Sequence, residues 1–245
     1  MERGPRLKGL NKKDGFLRHP FDEEFGVRTS GLVVGRHLKT GNAHDRHTTA
    51  YYGIAPSVFA ALVKRWRRIR PLFALEETMF IDIGAGMGRA VLLASGMPFK
   101  RVVGVEMHPA LARMARRNVA VWKKAGRVQC GRVRIVEGDA AEFAFPDGPC
   151  VVFLFNPFGA VVMRKFLRHV KQSFADRAEP LDLLYVNNEQ EHVLQTERGL
   201  TCYFQAPVYR SKKDAKADNA IMANQPDGEY ASAPYEDCSI WRWNS

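Results

Sequence analysis

Phe80-Ile-Asp82-Ile-Gly84-Ala85-Gly86-Met-Gly88-Arg89 is the stretch on which the fold turns. The apolar run at 78–83 reads as a short strand, and residues 88–96, rich in Ala and Leu, read as the helix after it. A glycine turn between a strand and a helix marks the edge where an open parallel sheet takes its ligands. Glycine lets the backbone approach a ligand closely, and the free amides of the helix start attract a carboxylate or phosphate. The spacing departs from the dinucleotide pattern GxGxxG. Here the third glycine comes two residues after the second, and Asp82 stands two before the first.

Downstream, strand and helix signals keep alternating. Arg101-Val-Val-Gly-Val-Glu106 is a second strand, and Pro109 suits the first position of a helix whose apolar stripe is Leu111, Ala115, Val119 and Trp122. Residues 133–136 form a third strand and Cys150-Val-Val-Phe-Leu-Phe155 a fourth, apolar throughout as a strand covered on both faces should be. A helix near 160–175 and a strand at 181–186 follow, with late strands at about 200–206 and 238–243. Strands alternating with helices predict a doubly wound α/β fold with a mostly parallel sheet. Between the last two strands, the polar residues 211–236 are expected to form a functional flap or a mobile loop.

Each successive strand end carries a polar signature. Glu106 ends the second strand, where a carboxylate can accept from both hydroxyls of a ribose. Asp139 and Ala140 follow the third, where an acid can accept an amino hydrogen from an adenine. Asn156-Pro157-Phe158-Gly159 follows the fourth. With Asp82 and its glycines, four such signatures converge on one crevice. Singly they have duller readings: a cap for Asp82, a solvated strand end for Glu106, a turn starter for Asn156.

Upstream the chain looks different. Residues 1–20 hold six Lys or Arg against two acids and show no period, so residues 1–50 read as a basic N-terminal arm or lid ahead of a domain over 51–245. Ser57 opens a helix with Phe59, Leu62, Trp66 and Ile69 on one stripe and Lys64, Arg65, Arg67, Arg68 and Arg70 on the others, until Pro71 stops it. That basic face is expected to be plain solvated surface, with a platform beside a substrate channel as the sharper alternative.

Composition sets wider bounds. At 245 residues, 46% hydrophobic and 26% charged, the chain has material for one sizeable core, which excludes disorder throughout. No window reaches the apolar length of a membrane span, and no secretory signal is visible at the start. The four cysteines include no CxxC pair and read as free thiols of a cytoplasmic protein. Lys and Arg exceed Asp and Glu by 37 − 26 = 11 charges, a field that attracts nucleic acid, acidic protein or small anions alike. His44-Asp45-Arg46-His47 lacks a third ligand and a helical spacing, so it predicts a surface loop and no metal site. Arg89 pairs with a bound carboxylate or is a helix-surface charge, and His108 reads as a helix-start residue.

The four signatures in this order resemble the class I, seven-strand, Rossmann-like S-adenosylmethionine-dependent methyltransferases over residues 78–160. The resemblance implies that the last two strands are the antiparallel closing pair of that sheet. It implies that Gly84, Ala85, Gly86 and Gly88 pass under the methionine part of S-adenosylmethionine, with Asp82 at the loop's base. Glu106 would then hold the ribose, and Asp139 with Ala140 would flank the adenine. Asn156-Pro157-Phe158 is similar to the NPPY or NPPF motif of enzymes that methylate planar amino groups, without the second proline. It would supply the catalytic groups. The combination also looks like the non-SET histone-lysine-type methyltransferases and small bacterial relatives. Their aromatic and proline segment has its counterpart in Tyr51-Tyr52-Gly53-Ile54-Ala55-Pro56, which places Tyr52 over the cofactor.

The expected activity is therefore methyl transfer to an acceptor, with a protein amine first and a nucleic-acid base second. An NAD-dependent oxidoreductase and a non-catalytic binding protein are the alternatives on this fold. Neither a membrane nor a metal is expected as a partner. The serine-hydrolase elbow, the phosphate loop and the HExxH motif are all absent.

Overall fold

The computed structural model describes residues 17–69, 71–224 and 232–243. Residues 1–16 of the expected arm, Arg70 of the basic cluster and part of the expected loop, 225–231, lie outside the described residues.

The main sheet has seven strands: β3 (Met79–Ile83), β4 (Arg101–Glu106), β5 (Val133–Glu137), β6 (Cys150–Phe155), β7 (Leu181–Val186), β8 (Leu200–Tyr209) and β9 (Tyr235–Trp243). A separate two-stranded ribbon pairs β1 (Leu32–Val33) with β2 (Tyr51–Tyr52). The large sheet runs β5-β4-β3-β6-β7-β9-β8. Its first five members are parallel, and β9 lies antiparallel between β7 and β8. Order reverses between β3 and β6, the switch point at which a crevice opens beyond the strand ends. The mostly parallel, doubly wound sheet and its antiparallel closing pair are as the sequence predicts.

β3 is buried at every position because helices cover both of its faces. Phe80 points to one face and Met79, Ile81 and Ile83 to the other, and β6 alternates likewise through Val151 and Phe153 against Cys150, Val152 and Leu154. On the first face lie α2 (Pro56–Arg68), α3 (Arg89–Ser95) and α4 (Pro109–Lys124). On the second lie α5 (Ala160–Phe174) and the short α6 (Glu191–Gln195). α5 buries Val162, Met163, Phe166, Leu167, Val170 and Phe174, a stripe of helical period in which each side chain contributes about 2 kcal/mol.

α2 behaves as its period predicts: Phe59, Leu62 and Trp66 are buried, while Lys64, Arg65, Arg67 and Arg68 are exposed. A polar bolt adds to the apolar dock. Asp182 of β7 is buried and accepts from Trp66 Nε1 at 2.7 Å and from Arg242 Nε and Nη2 of β9 at 2.7 and 3.0 Å. A buried carboxylate is tolerable only with such partners.

Residues 17–55, ahead of α2, are bound to the body. α1 (Pro20–Phe25) places Phe21 in the first-face core. Asp22 accepts from the amides and hydroxyls of Thr29 and Ser30 at 2.5–2.8 Å. Arg89 is not a surface charge. It is 3% exposed and donates to Thr29 Oγ1, Ser30 Oγ and the carbonyls of Gly53 and Ile54 at 2.7–3.2 Å. Asn118 of α4 adds a second stitch, exchanging hydrogen bonds with the backbone of Arg28 at 2.7 and 2.9 Å.

The expected flap at 211–236 is a correction. Residues Lys212–Ala223 form a helix, α7, capped by Ser211 Oγ, and β8 and β9 each extend three residues further than expected. Its buried positions are Asp214, Asp218 and Ile221. That spacing is helical, but two of the three residues are carboxylates, so no apolar period announces it.

Candidate active site

The crevice at the β3/β6 switch point is a real cleft. Of the residues singled out from sequence, Asp82, Gly84, Ala85, Gly86 and Glu106 line it on one side, and Asp139 and Ala140 at the β5 end. Pro157 and Phe158 line it beyond β6, and Tyr52 from the β1–β2 ribbon. Gly88 and Asn156 are not among the lining residues. Gly88 has a packing reason instead: its φ is +88°, and a Cβ there would come within 3.1 Å of Ala115 of α4.

The glycine corner is tightly made. Gly86 has φ +55° and sits against the Tyr51 ring so closely that a Cβ would collide with it. Glu106, 7% exposed, accepts from Gly86 N through Oε2 and from His108 N through Oε1, both at 2.7 Å. A strand-end carboxylate thus holds the glycine loop and the start of α4 together. Burial raises the pKa of Glu106. Asp82, 3% exposed, is pushed up to about 8, first by burial and then by the Glu106 charge. Two buried carboxylates face one cleft, and Arg89, the cation that also lines it, is engaged with the arm.

The β6 corner is assembled from remote parts. Asn156 takes φ +39°, a left-handed conformation that asparagine tolerates better than most residues. It is 7% exposed, and its Oδ1 is buried without a hydrogen-bond partner. Its main-chain carbonyl accepts from Thr49 Oγ1. Thr48 bridges Phe158 in antiparallel fashion, and Gly159 N donates to His47 O at 2.9 Å. The Phe158 ring packs on Phe166 at 5.9 Å and is 8% exposed.

Residues 44–50 were not among the expected site residues, and the His44–His47 stretch is not the bland surface loop its sequence predicts. His44, Thr48, Thr49 and Ala50 line the cleft. His44 Nδ1 lies 2.7 Å from Asp139 Oδ2, and its Nε2 lies 2.9 Å from Lys165 Nζ of α5. Asp139 Oδ1 accepts from Ala141 N at 2.9 Å. Among the described residues no group of His, Cys, Asp and Glu is placed to hold a metal. The exposed cations of α2 do not line the cleft. His108 caps the start of α4, lines the cleft, and has its pKa lowered by burial.

Comparison with known proteins agrees with this architecture. Residues 81–179 match the family described as methyltransferase domain. A curated relative from Streptomyces pristinaespiralis, 4-amino-L-phenylalanine/4-methylamino-L-phenylalanine methyltransferase, is 34% identical over 118 residues. That match covers 43% of this chain and spans 37% of the relative, little more than a third of its length. A candidate RNA methyltransferase from Pyrococcus horikoshii superposes with a TM-score of 0.50 at 15% identity, over 77% of this chain and 84% of that one. TrmN from Thermus thermophilus superposes with a TM-score of 0.50 at 17% identity, over 78% and 49%. At these identities the two structures attest the fold.

Residues 81–179 thus carry a methyltransferase-domain match on a doubly wound, Rossmann-like sheet with a glycine corner at its switch point. The match favours methyl transfer over the NAD-dependent oxidoreductase alternative. No helix among the described residues is long and apolar enough to cross a membrane.

Proposed function

We propose that this chain methylates an amine nitrogen, with a protein-borne amine as the first acceptor class. The observation that carries the reading is Asn156 Oδ1, a buried acceptor without a partner among the described residues, next in sequence to two cleft residues, Pro157 and Phe158. A buried polar atom left open in this way costs about 1–3 kcal/mol unless something fills it. A nitrogen bearing hydrogens fills it. The Streptomyces relative, named for methylating 4-amino-L-phenylalanine and 4-methylamino-L-phenylalanine, supports nitrogen over oxygen or carbon.

The cleft fits the donor on its own chemistry. S-adenosylmethionine supplies a methyl already activated on a positive sulfur, so that an N–C bond forms as the S–C bond breaks and the electron pair returns to sulfur. The carboxylates of Asp82 and Glu106 are raised by burial and, at Asp82, by mutual repulsion, a situation that a cationic ligand relieves. Asp82 meets that positive charge, and the bare backbone at Gly84, Ala85 and Gly86 permits close approach. Glu106 accepts the ribose hydroxyls with the lone pairs its two amide contacts leave over. Asp139 and Ala140 flank the adenine. Tyr52 and residues 44–50 roof the cleft and keep water from it.

On the acceptor side the chain has to align a neutral nitrogen for in-line attack. Asn156 Oδ1 and the Pro157 carbonyl accept its hydrogens and aim the lone pair. The Phe158 face lines the approach and favours positive charge as it develops.

The test is incubation with methyl-labelled donor and four separate pools: protein extract, RNA, DNA and small aromatic amines. Label is expected in protein, on nitrogen. Label in RNA or DNA would establish the nucleic-acid alternative that the charge of +11 keeps open. Donor binding with no label in any pool would sink the proposal and leave a non-catalytic binding protein.

A further inference from the structure

The polar side of α7 points to a role that its place between the last two strands does not suggest. Among its apolar residues α7 buries only Ile221, so little hydrophobic energy holds it down. Its dock is made by two carboxylates instead. Asp214 accepts from Ser57 N at 2.8 Å, at the start of α2. Asp218 is wholly buried; its Oδ1 accepts from Tyr52 Oη at 2.5 Å, and its Oδ2 lies 3.2 Å from Arg210 Nε. Arg210 also pairs with Glu236. His19 Nε2 stands 3.9 Å from Asp218 and 3.5 Å from Asp214. Burial, then the Arg89 charge, lowers the pKa of His19 to about 4, so the ring is neutral near pH 7 and Arg210 is the counter-ion.

We propose that Asp218 is a positioning residue of the donor cleft: its carboxylate holds the Tyr52 hydroxyl and thereby fixes a ring that forms part of the cleft wall. The inference rests on the donor cleft described under the proposed function. β2 is only two residues long and has a single partner strand, so backbone pairing gives Tyr52 little restraint. Tyr51 is anchored separately, by its hydroxyl on Thr29 O at 2.7 Å and by its ring on Gly86. Tyr52 has no such local anchor, and its hydroxyl is held from 166 residues away in sequence. A helix docked for stability alone would present an apolar stripe. α7 presents its acids to β2, which carries the cleft's aromatic residues, and to the start of α2 just after it in sequence. Arg210 supplies the compensation without which a buried carboxylate would be prohibitive.

Calorimetric titration of the full chain with S-adenosylhomocysteine tests this directly. Tyr52→Phe and Asp218→Ala are each expected to weaken binding roughly three- to tenfold, the range a single lost hydrogen bond produces. The double variant should bind no more weakly than the weaker single one, because both changes cut one link. Asp218→Asn retains an acceptor for the hydroxyl and should recover most of the affinity, which a loss of general packing would not predict. Tyr52→Phe removes one oxygen and decides the matter even if Asp218→Ala fails to fold. Wild-type affinity in Tyr52→Phe overturns the proposal, as does an Asp218→Ala effect that is equally large with Phe at position 52. Wild-type protein that does not bind the thioether overturns the donor cleft itself. Wild-type binding with insensitive variants overturns only the tether.

Discussion

The corners at Gly86 and Asn156 follow neighbouring strands of one sheet, yet they are finished in opposite ways. At the first, both Glu106 oxygens accept from amides of the local chain, and the loop is locked by its own glycines. At the second, the residue sits at positive φ, its carbonyl is tied down by Thr49, and its side-chain oxygen is left without a partner. A self-satisfied corner is built to receive the same ligand in every turnover. An unsatisfied one, held in place by outside restraints, is built to meet a group that arrives and leaves.

The sharpest way to break this contrast is to truncate Glu106 and Asn156 in turn. Glu106→Ala removes the loop's clasp as well as the proposed ribose contact, and S-adenosylhomocysteine affinity should fall roughly a hundredfold or more. Asn156→Ala should leave that affinity near wild type while lowering turnover on the identified acceptor by about a hundredfold. Equal damage to binding by both changes would erase the distinction between the corners.

Next in size is the strut beneath the roof. Arg89→Met keeps the apolar stem but leaves Asp22, Thr29 and Ser30 without their shared donor. We expect a loss of about 2–4 kcal/mol in urea unfolding, with earlier proteolysis near residues 30–50. An unchanged midpoint would mean that the arm is held by its apolar contacts and the Asn118 stitch without help from Arg89.

The smallest expected effect carries an informative sign. Asp82 has its pKa raised to about 8, so the folded, ligand-free protein retains a proton that the unfolded chain releases near pH 4. Its contribution is complete below the unfolded value and is lost as pH rises toward the folded one. Asp82→Asn escapes that loss. Its melting temperature should therefore gain on wild type by a few degrees between about pH 5 and about pH 8, even as donor binding disappears. Wild-type protein melting higher at the alkaline end would refute a strained carboxylate.

These contrasts also explain what the sequence disclosed. The glycine corner is written in contiguous letters: Asp82, Gly84, Gly86 and Gly88 lie within seven positions, and Glu106 ends the adjacent strand. The mostly parallel, doubly wound sheet followed from the alternation of strands and helices, whereas the antiparallel closing pair came only from the family resemblance. The Asn156 corner was legible only in its own residues. Thr49 and His47 come from more than a hundred positions upstream and join it through a hydroxyl-to-carbonyl bond and a backbone bond, neither of which leaves a periodic trace. α7 escaped for a related reason: Asp214 and Asp218 occupy its buried stripe, and a reading that equates burial with apolar letters takes such a segment for a loop. Arg89, too, looked like surface charge until four acceptors surrounded it.

The placement of β9 has a consequence for how the chain is made. It is the last of the seven strands to leave the ribosome, yet its slot is interior, flanked by β7 and β8. Until residues 235–243 emerge, those two neighbours offer open edges, and the indole of Trp66 and the Asp182 carboxylate await Arg242. Until β9 is released the nascent sheet therefore stays in an adhesive, half-zipped form, and any stall before that point hands a chaperone or an aggregate a ready groove.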